Sequence, residues 1–98
     1  MADHLAQALV LANKDFNLEI PGSEVSTAED FQQLLTEVIR HVLDNDFERL
    51  LNGLYRIDVD EEKVKRAMAS EEDVAGQIAS LIIEREMQKV VTREKYRS

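Results

Sequence analysis

The sequence contains no cysteine, one proline and three glycines. Without cysteine, the chain can form no disulfide bond, thiolate metal site or thiol nucleophile, and a reducing compartment is compatible with it. Proline and glycine are the residues that most often interrupt helices, and here Pro21 and Gly22 are adjacent. Long uninterrupted helices are therefore possible on both sides of this pair.

The chain also lacks a basic excess and a long apolar run. Its 20 acidic and 12 basic residues give a net charge of −8. This charge disfavours DNA or RNA as the main partner, because phosphate binding depends on Lys and Arg. The apolar stretch from Leu5 to Ala12 is too short to span a bilayer, and no basic segment precedes it. We therefore expect a soluble, cytoplasmic protein with no membrane partner.

What the chain does have is apolar residues at helical spacing and signals for helix starts. Apolar residues make up 44% of the sequence and charged residues 33%, as in a globular domain. Three segments place a capping side chain three residues before an acidic one, which is the form of a helix N-terminus. These pairs are Ser26 with Glu29, Asp58 with Glu61, and Ser70 with Asp73.

The apolar spacing predicts one helical domain over residues 1–98. We expect an all-α fold, a compact bundle of four to five amphipathic helices with a long C-terminal helix. An extended linker is expected over 17–26 and a frayed basic tail over 93–98. The expected helices cover about 2–16, 27–43, 47 to 55 or 56, 60–69 and 71–92.

The last predicted helix carries two apolar stripes on roughly opposite sides. The second stripe consists of Ile83, Met87, Val90 and Val91. A surface helix needs only one apolar stripe, so the C-terminal half of this helix must pack against something else. Either the first helix folds back over the stripe, or the stripe is an interface with a partner or a second copy.

The C-terminal segment is also basic. Residues 85–98 hold five basic and two acidic side chains, for a local charge of +3, while residues 1–84 carry −11. Cations near a helix C-terminus interact favourably with the helix dipole, which explains most of the pattern. The alternative is that Arg85, Lys89 and Arg93 steer an acidic protein surface towards the second stripe.

A second candidate contact lies at the end of the third predicted helix. Tyr55, Arg56 and Ile57 are residue types that are enriched in protein interfaces. The alternative is that Leu54, Tyr55 and Ile57 complete the core while Arg56 caps the helix end. Tyr55 and Arg56 therefore join the candidate partner-binding residues.

No motif for catalysis or for a cofactor is present, and we expect neither an enzyme nor a bound cofactor. Glu37, His41 and Asp44 share one helix face, but zinc sites normally need further converging ligands. No metal site is predicted.

The resulting hypothesis is a small protein-interaction or regulatory module that self-associates through its C-terminal helix as a homodimer, or binds a protein partner. The alternative is a nucleic-acid-binding helix-turn-helix protein, with the last three helices as the tri-helical unit and the basic tail on phosphates. A third class is an enzyme or metal carrier that uses Glu37, His41 and Asp44.

Overall fold

The computed structural model describes the backbone of residues 2–97 and the side chains of residues 4–96. It contains five α-helices, one 3-10 helix and, within this range, no strand, which confirms the predicted all-α class. No described helix combines the length with the apolar content that a bilayer span requires. The elements are α1 (Ala2–Phe16), the 3-10 helix (Gly22–Glu24), α2 (Ala28–Asn45), α3 (Phe47–Ile57), α4 (Glu61–Ala69) and α5 (Val74–Arg97).

The long helix α5 is the centre of the bundle, because it packs against each of the other four helices. Its buried apolar side chains recur at helical spacing from Ala75 to Val90, with Glu86 at one position of this face. They are Ala75, Ile78, Ala79, Ile82 and Val90. The other helices contribute the larger core side chains, including Phe16, Phe31, Leu35, Ile39, Leu50 and Ile57.

Helix α2 begins with a capping box, although one residue later than predicted. The Thr27 hydroxyl accepts a hydrogen bond from the Asp30 backbone N–H at 3.1 Å. The Asp30 carboxylate accepts in return from the backbone N–H groups of Ser26 and Thr27, at 3.0 and 3.3 Å. The predicted pair of Ser26 and Glu29 is therefore wrong, since Asp30 can satisfy two backbone donors from its position.

The starts of α4 and α5 are displaced in the same direction. Asp60, and not Asp58, caps α4 by accepting from the Glu62 backbone N–H at 2.9 Å. At α5, Asp73 accepts from the Gly76 backbone N–H at 3.1 Å, whereas Ser70 accepts from Glu72 in the preceding turn. The helix starts were thus predicted to within a few residues, but the side chain that caps each of these helices was not predicted correctly.

The predicted linker over 17–26 is held against the bundle. The Asn13 side chain donates to the carbonyl of Ile20 and accepts from its N–H, both at 3.0 Å. Ile20 is buried, and Leu18 and Val25 pack against the core. The linker therefore lies along α1, with one 3-10 turn inside it.

The C-terminal end of α5 differs from the expectation. The helix continues to Arg97, whereas a frayed tail was expected over 93–98; Ser98 lies outside the described residues. A contact of 2.6 Å between His4 Nε2 and the Glu94 carboxylate links this end of α5 to the start of α1. This contact gives the last turns of α5 a tertiary partner that the sequence pattern does not reveal.

Candidate functional site

Helix α3 carries three large apolar side chains that the bundle leaves in water. Phe47 is 45% exposed, Leu51 36% and Tyr55 74%. Their spacing of four residues puts them in one row along the helix, which we call the α3 stripe. Exposed apolar groups scattered singly need no explanation, but a contiguous row of them is typical of a contact surface.

The α3 stripe exists because the apolar arc of α3 is wider than its contact with the core. At about 100° per residue, the apolar positions from Ile57 round to Tyr55 span about 160° of the helix circumference. The part of this arc that contains Leu50, Leu54 and Ile57 is buried in the core. The remainder of the arc is the α3 stripe.

A groove between α3 and α4 runs beside the α3 stripe. It has a volume of about 280 Å³. The groove exists because α3 ends at Asp58, whose left-handed conformation (φ 58°, ψ 53°) turns the chain sharply before α4. The apolar side chains that line it are Leu51, Leu54, Tyr55, Val59 and Val64.

Exposed carboxylates lie at both ends of the α3 stripe. Those near Phe47 in sequence are Asp44, Asp46 and Glu48, and those after Tyr55 are Asp58, Asp60, Glu61 and Glu62. Asp58, Glu61 and Lys65 line the groove itself. The two arginines within residues 44–62 are engaged elsewhere, because Arg49 lies 3.7 Å from the Asp46 carboxylate and Arg56 donates to the Asp15 carbonyl at 3.3 Å. Residues 44–66 as a whole hold seven carboxylates and five basic side chains, so the frame of the groove is acidic with a net charge of −2.

Of the predicted corner, the structure exposes Tyr55 and buries Ile57. Arg56 is exposed but turned towards the C-terminal end of α1, where it hydrogen-bonds the Asp15 carbonyl. Sequence reasoning missed Phe47, Leu51 and the groove. The signal that was present is the width of the apolar arc of α3, which exceeds what one buried face needs.

The predicted second stripe of α5 is divided between core and surface. Val90 is 1% exposed and shares a cavity lining with Leu11 of α1, so it belongs to the core. Ile83 and Met87 are half-buried against the core, and Val91 is 47% exposed. The predicted partner-binding surface therefore loses Val90, because α1 packs against this part of α5.

The basic residues predicted to steer a partner also have contacts within the chain. Arg85 Nε donates to the Ile57 carbonyl at 2.8 Å and so satisfies the C-terminal end of α3. Lys89 Nζ lies 4.0 Å from the Asp15 carboxylate. Arg93 is exposed and lines a shallow cavity with Gln7, Thr92 and Tyr96.

A carboxyl pair formed by Asp15 and Glu86 lies where α1 meets α5. Glu86 is fully buried, in register with Ile82 and Val90 on the core face of α5. The Asp15 side chain is 10% exposed, and its Oδ2 and both Glu86 oxygens have no hydrogen-bond donor. Two ionised carboxylates cannot bond to each other because both only accept.

Protonation of Glu86 supplies the hydrogen-bond donor that the carboxyl pair lacks. Burial, and then the hydrogen bond and negative charge of Asp15, raise the pKa of Glu86 from 4.5 to about 8, against the opposing charges of Lys89 and Arg93. Glu86 is therefore mainly protonated near neutral pH, and its hydroxyl can donate to Asp15. The pair contributes to the packing of α1 on α5, and Asp15 also lines a cavity of about 290 Å³ with Asn17, Arg49 and Arg56.

Among the described residues, no three histidine, aspartate or glutamate side chains converge as metal ligands would. Comparisons with protein families, with curated proteins and with solved structures give no significant match. The functional inference therefore rests on the α3 stripe and the groove beside it.

Proposed function

We propose that this chain is a protein-interaction module that binds a positively charged amphipathic helix in the groove between α3 and α4. The observation that carries the proposal is the contiguous exposed row of Phe47, Leu51 and Tyr55 beside an apolar groove. Large apolar side chains in a groove are the usual recognition surface for an amphipathic helix. Tyrosine in particular is a frequent energetic centre of such contacts.

The acidic frame specifies the charge of the partner. Asp58 and Glu61 line the groove, and the other carboxylates at the ends of the α3 stripe are exposed. A partner with lysine or arginine beside its apolar row would gain from these charges in rate of association and in specificity. An acidic partner of the same shape would be repelled.

Two synthetic helical peptides with the same leucine pattern test the proposal, one with lysine and one with glutamate at the polar positions. Each is titrated into the isotopically labelled protein, and amide shifts are followed by NMR. We expect the lysine peptide to shift Phe47, Leu51, Tyr55 and Val64, and the glutamate peptide to have little effect. Equal binding of both peptides, or shifts on other faces only, would contradict the proposal.

Matched variants separate this surface from general hydrophobic binding. Leu51→Asp places a charge in the middle of the α3 stripe and should abolish binding of the lysine peptide. Val10→Asp is the control, because Val10 is an exposed apolar residue (65%) on α1, away from the groove. Circular dichroism of both variants shows whether helicity is retained.

A further inference from the structure

We infer that the C-terminal turns of α5 from a second copy occupy the groove between α3 and α4, so that the chain associates head to tail. This inference rests on the proposed function and names the occupant of its groove. The groove needs a helical segment that is both apolar and basic. This chain itself contains such a segment in residues 85–98, which carry a local charge of +3.

The outward face of the last turns of α5 has the required character. Val91 is 47% exposed and Tyr96 87% exposed, and Lys95 lies between them around the helix. At about 100° per residue these three positions fall within about 140°, on the side opposite the core residue Val90. The end of α5 thus presents two large apolar side chains with a lysine between them, on a helix that is already formed.

The charges of the two surfaces are complementary. Residues 85–98 carry +3 and the rest of the chain −11. The groove is lined by two carboxylates, Asp58 and Glu61, and by one lysine, Lys65. Screening limits charge interactions to roughly 8 Å at physiological salt, so these local charges act more strongly in contact than the net repulsion between copies.

The end of α5 cannot reach the groove of its own chain. The middle of α5 is fixed beside the groove by the contact of Lys63 with Glu84 at 3.9 Å and by the hydrogen bond from Arg85 to Ile57 at 2.8 Å. Helix α5 continues without interruption to Arg97. Tyr96 therefore lies about 18 Å further along the axis than Glu84, at roughly 1.5 Å per residue. Only a second copy can bring the two surfaces together.

A head-to-tail contact has a specific consequence for assembly. Each copy offers one groove and one α5 end, and these are different surfaces, so the contact is heterologous and continues into a chain or closes into a ring. The α5 end is small, and contacts of small area are weak and sensitive to salt. We expect reversible association that increases with concentration and falls several-fold in affinity at high salt.

Sedimentation equilibrium of two variants, alone and mixed, tests this geometry. Leu51→Asp blocks the groove, and Tyr96→Asp blocks the α5 end. Each variant alone should be monomeric, while the mixture should form a one-to-one dimer that grows no further, because one intact groove meets one intact α5 end. Ser23→Asp is the control, because Ser23 is exposed between α1 and α2 and lines neither the groove nor the cavities at the α5 end, and it should associate like the wild type.

Three outcomes would overturn the inference. The wild type could remain monomeric at all concentrations, the mixed variants could remain monomeric, or Leu51→Asp alone could still associate, which would indicate a symmetric contact. If the wild type is monomeric but the lysine peptide still binds at Leu51, the proposed function stands and only the choice of a second copy fails. If the wild type is monomeric and the lysine peptide does not bind, both the proposed function and the choice of a second copy fail.

Discussion

The α3 stripe and the carboxyl pair at the α1–α5 junction both depart from the usual pattern of apolar residues inside and charged residues outside. The stripe exposes apolar side chains, and the junction buries an acidic one. The stripe leaves Phe47, Leu51 and Tyr55 in water, while the junction buries Glu86 completely and leaves the Asp15 side chain only 10% exposed. Exposed apolar side chains cost the folded state little, because they are also exposed to water in the unfolded chain. A buried carboxyl group costs several kcal/mol unless it is protonated or paired.

This difference assigns the two regions different roles. The stripe is neutral for folding and available to a partner, so its effects should appear in binding and not in stability. Glu86 of the carboxyl pair is fully buried between α1 and α5, so its effects should appear in stability and in the dependence of stability on pH. Substitutions in one region should leave the readout of the other unchanged.

The largest expected effect is that of Glu86→Gln on the pH dependence of unfolding. Burial raises the pKa of Glu86 from 4.5 to about 8, so folding takes up a proton between these values. The stability that comes from the protonated group is complete below pH 4.5 and is lost as the pH rises through about 8. This loss is on the order of 3 to 5 kcal/mol.

Glutamine cannot ionise, and it can still donate to Asp15. Urea unfolding from pH 4.5 to above pH 8 should therefore show Glu86→Gln close to the wild type at the acid end and more stable at the alkaline end. Parallel curves for the two proteins would contradict a buried, protonated Glu86. Asp15→Asn is a second check, because removing the neighbouring negative charge should lower the pKa of Glu86, as followed by carboxyl carbon NMR.

The next effect concerns the packing of α1 on α3 beside the carboxyl pair. A Cβ atom at Gly53 would overlap the ring of Phe16, which is 2% exposed, so the ring or the helix would have to shift. We expect Gly53→Ala to destabilise the fold by about 1–3 kcal/mol, although alanine favours a helix more than glycine.

Gly22→Ala is the matched control, because no atom lies within 4 Å of a Cβ at Gly22. It should change the free energy of unfolding by less than about 0.5 kcal/mol. Urea unfolding of both variants measures the difference. If the two variants were equally stable, the close approach of α1 to α3 would be refuted.

The smallest effect on stability is expected at the α3 stripe. Tyr55 is 74% exposed, so Tyr55→Ser should change the free energy of unfolding by no more than about 0.5 kcal/mol. The same variant should bind the lysine peptide clearly more weakly than the wild type does, as measured by NMR titration. A loss of stability of about 2 kcal/mol or more would mean that the stripe is core, and the contrast with the junction would disappear.

Helix positions were predictable from the sequence because apolar spacing and capping residues act locally. The bounds of α1 were correct, and those of the other helices were correct to within five residues, the largest difference being the end of α5. The capping side chain of α2 was not predictable because Ser26 and Thr27 are adjacent and both can cap. Only the packing of Phe31 and the contacts of Asp30 decide between them.

The carboxyl pair was missed because a hydrophobic pattern counts glutamate as a surface residue. Glu86 occupies the position between Ile82 and Val90 on the buried face of α5, which is visible in the sequence only once that face is known. The division of the second stripe also depends on tertiary structure. Val90 is buried and Val91 is exposed because α1 packs on the Val90 side of α5. Helical spacing alone does not show on which side α1 packs.

The most direct test of the central claim is a dilution series of the labelled wild-type protein followed by amide NMR, from millimolar to low micromolar concentration. We expect the amides of Leu51, Tyr55 and Val64 to shift together with those of Val91 and Tyr96, along one binding curve. Amide positions that do not depend on concentration, or shifts confined to one of the two surfaces or to the Val10 face of α1, would contradict it.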